Sequence, residues 1–145
     1  MILFDTNVFV ACIVKSHAHH DPSRTLVERV HRGEMTGAIS AHSLAECFSI
    51  LTSYPISPSI PPDLAEELIK ENILAPFQVV ELSLNDYRLA IRRVKERRLR
   101  SGAIYDALIY QAAVKKRAKA IYTWDTEDFL RLSDSDIQIL RPDVR

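Results

Sequence analysis

The chain has 145 residues, 47% of them hydrophobic and 26% charged, with 19 Lys plus Arg balanced by 19 Asp plus Glu. At this length roughly 70% of the unfolded surface can be buried, so a single domain over residues 1–145 is expected without disulfide or metal staples, and with only 3 glycines it has no Gly-rich phosphate loop. The apolar stretch Val8 to Val14 is far too short to span a bilayer and follows no basic segment, which predicts a cytoplasmic protein with no membrane contact.

Met1 to Asp5 is a short apolar run closed by a carboxylate and reads as the first strand. Helical spacing follows over Val8–Val14 and Pro22–Arg32, with His17, His19 and His20 in the turn between them read as loop rather than metal ligands. Gly37–Ser40 is the second strand and His42–Ser53 the next helix. Cys12 and Cys47 lie among apolar neighbours and are expected to be free, buried thiols of a reducing compartment. The proline-rich loop Tyr54 to Pro62 opens the helix Pro62–Ile73, whose first turns carry Asp63, Glu66 and Glu67. Strand Gln78–Leu82, helices Leu84–Leu99 and Ala103–Arg117, strand Ala120–Thr123, short helix Thr126–Leu132 and strand Ile137–Leu140 complete the series. Strands alternating with helices imply an α/β fold whose parallel sheet is covered on both faces, with the ligand crevice beyond the carboxyl ends of the strands.

Acids stand at those ends. Asp5 follows the first strand, and Asp125 and Asp128 follow the fourth, where either could begin the short helix. Glu46 lies on the helix whose apolar stripe is Leu44, Cys47, Phe48 and Leu51. Asp106 sits in Ala103 to Val114, apolar nearly all round, where a carboxylate needs a partner or a metal. A convergence of such carboxylates, with no obvious cation supplied by the chain, calls for a neutralising ion. Oxygen-only donors point to Mg²⁺ or Mn²⁺ and so to phosphate chemistry.

Asp5-Thr6-Asn7, Ala45-Glu46, Tyr105-Asp106-Ala107-Leu108-Ile109 and Thr123-Trp-Asp125-Thr-Glu-Asp128-Phe129, in this order across essentially the whole chain, resemble the motifs of PIN-domain ribonucleases, and in particular the VapC-type toxins of toxin-antitoxin pairs. The resemblance implies a three-layer α/β/α fold with a central parallel sheet of four or five strands and metal-dependent endonucleolytic cleavage of RNA. It places Asp5, Glu46, Asp106 and Asp125 at the catalytic, metal-holding positions with Asp128 as a variable extra acid, and Thr6, Asn7 and Thr123 as their supports. Tyr105 and Trp124 are bulkier than is usual there, which bears on substrate choice. The resemblance also implies a cognate antitoxin and a homodimer, for which Ile50-Leu51 and the Ile56 to Ile60 region are candidate contacts.

Setting the five site acids aside turns the balanced charge into a net positive one. From Arg88 to Lys119 eleven bases face two acids, Glu96 and Asp106. With Tyr87, Ala90, Ile91 and Val94 taken as the inward face of their helix, Arg92, Arg93, Arg97, Arg98 and Arg100 are expected to form an outward RNA-binding surface with Lys115 and Lys116. A phosphohydrolase with an aspartyl nucleophile would want a second Asp where Asn7 stands. A non-catalytic PIN-like module would be marked by missing acids, and none is missing.

Overall fold

The computed structural model describes residues 1–134 and 136–143. Its centre is a parallel sheet of five strands, β1 (Ile2–Phe4), β2 (Gly37–Ser40), β3 (Gln78–Val80), β4 (Ala120–Tyr122) and β5 (Gln138–Leu140), in the order β3-β2-β1-β4-β5. The chain starts in the middle strand, steps outward through β2 and β3, then returns to the other side of β1 for β4 and β5. The border between β1 and β4 is therefore where the strand order reverses, the place at which parallel sheets open a ligand crevice.

Strand alternation divides the interior. Phe4, Ile39, Val79 and Tyr122 face one layer, formed by α1 (Thr6–Ile13), α2 (His20–His31), α3 (Ala41–Ser53) and α4 (Pro62–Ile69), the last continuing into a π-helical turn at Lys70–Leu74. Leu3, Ala38, Val80, Ile121 and Ile139 face the other, formed by α5 (Leu84–Glu96), α6 (Ala103–Lys115) and α7 (Thr126–Leu132). In the first layer the ring of Phe77 meets Phe4 and Phe9 edge-on, with centroids 4.9 and 4.8 Å away. Gly37 makes room for it, since a Cβ there would lie 2.4 Å from the Phe77 ring. Cys12 and Cys47 are free and buried, and burial pushes both thiols up, Cys12 to about 11. Among the described residues no helix is long and apolar enough to cross a membrane.

The helices lie where their spacing placed them, but the faces of α5 and α3 and the ends of α5 and α6 differ from expectation. α5 turns Asp86, Ala90, Arg93 and Val94 inward and leaves Tyr87 and Ile91 41% and 57% exposed. Polar pairing across to α6 outweighs the apolar stripe. Asp86 closes a capping box with Ser83 and accepts from Lys115 Nζ at 2.7 Å and Gln111 Nε2 at 3.2 Å. Arg93 lies over the Tyr110 ring and donates to the Leu132 carbonyl at 2.9 Å. On α3 the inward residues are Ser43, Cys47 and Leu51, with Phe48 turned outward. Leu51 and Ile60 are in the core, so neither is available for the expected dimer contact, whereas Ile50 is exposed. Finally, α5 and α6 stop short of Leu99 and Arg117. Arg98 (φ 56°) and Arg117 (φ 50°) take the left-handed conformation that closes each helix, with Leu99 N–H returning to Val94 O and Ala118 N–H to Ala113 O.

Two substitutions test this packing. The Lys115 ammonium beside it holds Asp86 well below the usual carboxylate range, so its contribution to stability is present above the unfolded pKa and lost as pH falls through that range. Asp86→Ala should therefore lower the unfolding free energy by about 2–4 kcal/mol in urea melts at neutral pH, and by much less near pH ~3. Gly37→Ala should cost about 1–3 kcal/mol by overpacking Phe77, and Gly37→Ala combined with Phe77→Leu should recover part of that loss.

Candidate active site

Asp5 ends β1, and its N–H donates to the Tyr122 carbonyl of β4 at 2.9 Å, so backbone pairing fixes it at the border between the two sheet halves. It stands at the N-cap position of α1, yet its side chain makes no capping bond. Instead it accepts a 2.6 Å hydrogen bond from Thr123 Oγ1. Asp5 is almost wholly buried, and burial lifts its pKa to about 7, with the charges of Asp106, Asp125 and Glu46 adding to the rise and the Thr123 bond opposing it.

The next two residues anchor two further acids. Thr6 Oγ1 donates to Glu46 Oε2 at 2.8 Å. Asn7 Nδ2 donates to Asp125 Oδ2 at 3.1 Å and to Thr123 Oγ1 at 3.3 Å, while its Oδ1 accepts from the Trp124 N–H. Asp125 N–H in turn donates to Thr123 Oγ1 at 2.9 Å. Asp125 thus occupies the N-cap position of α7 without capping it through its side chain. Trp124 is held between His19, whose ring stacks on it with centroids 3.9 Å apart, and the guanidinium of Arg141.

Glu46 has a second partner that the motifs did not single out. His42, one helical turn earlier on α3, places its ring Nε2 against Glu46 Oε1, and the same ring lies parallel to Tyr105 with centroids 5.4 Å apart. The signal was present as an i, i+4 pair, a spacing at which helical side chains meet.

Asp106 enters from the first turns of α6, half-buried, with its pKa raised to about 6 by burial and then by Asp128, Glu46 and Asp125. Arg131 opposes that rise and pairs with Asp128 in the first turn of α7. The chain therefore does supply a cation here, contrary to expectation. Asp106, Asp128, Arg100 and Arg131 line a cavity of about 350 Å³.

Of the basic residues expected to face RNA, three are engaged within the protein. Arg93 and Arg97 both reach Asp134, and Lys115 is paired with Asp86. Arg92, Arg98 and Lys116 are exposed, and Arg100 borders the acidic cavity.

A family profile described as the PIN domain matches residues 2–134. The chain belongs to the PIN domain family. Within it, the chain is 31% identical over 115 residues to ribonuclease VapC27 of Mycobacterium tuberculosis, spanning 79% of this chain and 78% of that relative. The same PIN fold recurs in the crystal structure of M. tuberculosis VapC20, a toxin that cleaves the sarcin-ricin loop (TM-score 0.72, 16% identity, 90% of this chain and 94% of that one). It recurs also in a toxin-antitoxin complex from Klebsiella pneumoniae (TM-score 0.67, 18% identity, 98% of each chain). At such identities these two likenesses bear on the fold.

Among the described residues no three His, Cys, Asp or Glu side chains stand close enough together to hold a metal ion as they are. The donor chemistry of this PIN site nonetheless fits a hard divalent cation. Asp5 and Asp106 are held partly protonated near neutrality by burial and by neighbouring carboxylates, a penalty that a cation would remove.

That penalty has a sign. A carboxylate raised by the fold stabilises the folded state below its unfolded pKa, and the contribution is lost as pH rises through the raised values of about 7 and 6. Without metal, the unfolding free energy should fall by roughly 2–4 kcal/mol between pH ~4 and pH ~8 on this account. Asp5→Asn should flatten that slope, and Mn²⁺ should raise the melting temperature of the unsubstituted protein more at the upper pH than at the lower. Thermal melts across pH with and without Mn²⁺ check both.

Proposed function

We propose that the chain is a divalent-metal-dependent endoribonuclease that hydrolyses RNA phosphodiester bonds, acting as the toxin of a toxin-antitoxin pair. The observation that carries this reading is the gathering of Asp5, Glu46, Asp106 and Asp125, from four separate segments, around the β1/β4 border in a PIN chain related to a named ribonuclease.

Asp5, Asp106 and Asp125 are the residues to hold Mg²⁺ or Mn²⁺, with Glu46 completing the set or orienting the attacking water. The metal, when bound, supplies Lewis-acid stabilisation of phosphoryl charge and activation of water. Thr123 fixes Oδ2 of Asp5, Asn7 fixes Asp125, and Thr6 with His42 fixes Glu46, so the donors are oriented before substrate arrives. Asp128 is tied to Arg131, a placement that suits modulation of Asp106 better than direct ligation. Because water attacks, the ribose 2′-hydroxyl takes no part and the products carry 5′-phosphate and 3′-hydroxyl ends.

For RNA contact the reading rests on Arg100, Arg92, Arg98 and Lys116. Arg93, Arg97 and Lys115 support the fold through their ion pairs. A cognate antitoxin is the expected protein partner, which the likeness to a toxin-antitoxin complex supports. A homodimer and a cytoplasmic location complete the proposal.

The test is cleavage of a mixed RNA pool by purified protein with Mg²⁺, Mn²⁺ or EDTA. Cutting should require metal and fall by about 100-fold or more in Asp5→Asn and Asp106→Asn, losses typical of removing a principal catalytic group. Ends bearing 2′,3′-cyclic phosphate would overturn the water-attack mechanism. Absence of cutting by a protein that still binds metal would favour a binding module instead.

A further inference from the structure

Tyr105 and Asp106 are consecutive on α6, so the ring and the carboxylate leave the same turn of helix. Tyr105 is the most exposed of the Phe, Tyr and Trp residues among the described residues, at 54%. Tyr110, five residues on, is buried at 1% with Arg93 over its ring, so the fold of α6 uses one tyrosine as core and leaves the other outside. Tyr105 is exposed without being loose. His42 lies against one face, with the two rings within 3° of parallel, and that histidine also holds Glu46. The ring is thereby set in register with Asp106 through the backbone and with Glu46 through His42. On the Asp128 side of Asp106 the cleft is lined by Arg100, a cation suited to a backbone phosphate, and by Arg131, which pairs with Asp128.

A flat ring, braced by His42 and otherwise exposed, beside an acidic centre whose cleft Arg100 lines, has the attributes of a stacking platform in a single-strand channel. We infer that Tyr105 stacks an unpaired RNA base next to the bond that is cut, making it a residue that selects single-stranded substrate. The inference rests on the ribonuclease reading and identifies what holds the substrate there. The strand passes with its phosphates toward Arg100 and one base turned onto the tyrosine. No proton or metal is handled by Tyr105, so its effect lies in binding and in sequence preference rather than in the chemical step.

The experiment uses a short single-stranded RNA pool of randomised sequence, cut with Mn²⁺ by the unsubstituted protein and by Tyr105→Phe and Tyr105→Ala, with product ends sequenced. Tyr105→Phe keeps the ring and should retain KM and base preference. Tyr105→Ala should raise KM about tenfold or more, a loss in line with one base stack, and should flatten the preference at one position beside the cut. Its kcat should stay within about threefold, because a residue acting only through His42 and Glu46 would lower kcat instead. Thermal melts and Mn²⁺ binding should match across the three proteins. If Tyr105→Ala cuts with unchanged KM and preference, or loses kcat alone, the platform is refuted while the ribonuclease reading stands. If the unsubstituted protein cuts nothing, the ribonuclease reading falls and takes this inference with it.

Discussion

The 2.6 Å hydrogen bond from Thr123 to Asp5 joins the ends of the two strands between which the sheet changes direction. It links residues separated by 118 positions in sequence, and the site depends on it in two ways. It fixes Asp5 in a place where burial alone would favour its neutral form, and the same hydroxyl accepts from Asp125 and Asn7, so one small side chain sets two acids at once. A threonine suits this task because its hydroxyl donates once while accepting from others, and β-branching restricts its rotamer at a strand end.

Around that bond the site is a balance of repulsion and restraint. Carboxylates brought together at a sheet edge raise the cost of ionisation, as the elevated Asp5 and Asp106 show. The surrounding groups do not neutralise them; Thr6, Asn7, Thr123 and His42 orient them. Arg131 is spent on Asp128 at the margin, and Arg100 lines the cleft beside them. The centre is left electrostatically unsatisfied while geometrically organised, which is the condition in which a divalent ion gains most from binding.

Much of this was legible in the sequence because short apolar runs declare strands, and the first of them is closed directly by Asp5. The five strands, the helices between them and the positions of Asp5, Asp106 and Asp125 follow from local pattern. What the pattern could not convey was rotation about helix axes where polar groups compete with apolar ones. On α5 the stripe of Tyr87 and Ile91 looked inward-facing, but Asp86 and Arg93 found partners on α6 and in the α7 region, and the helix turned to bury them. On α3 Ser43 is buried while Phe48 turns outward, and no polar pairing drives this, since the Ser43 hydroxyl has no hydrogen-bond partner among the described residues. His42 escaped notice because its importance lies in contacts with Glu46 and Tyr105, the second of which is distant in sequence.

The tripeptide Asp5-Thr6-Asn7 bonds to Thr123, Glu46 and Asp125, and two of those three partners are made late in synthesis. A nascent chain still held by the ribosome at α6 has its first acid waiting beside an absent fourth strand, with neither Thr123 to fix it nor Asp125 to complete the cluster. Contacts of such long sequence separation also carry a large loop-closure cost, which slows the folding of sheets that need them. The order of the segments along the chain therefore acts as a timer: the acidic cluster is complete only after β4 and the start of α7 have been made, whatever has folded before them.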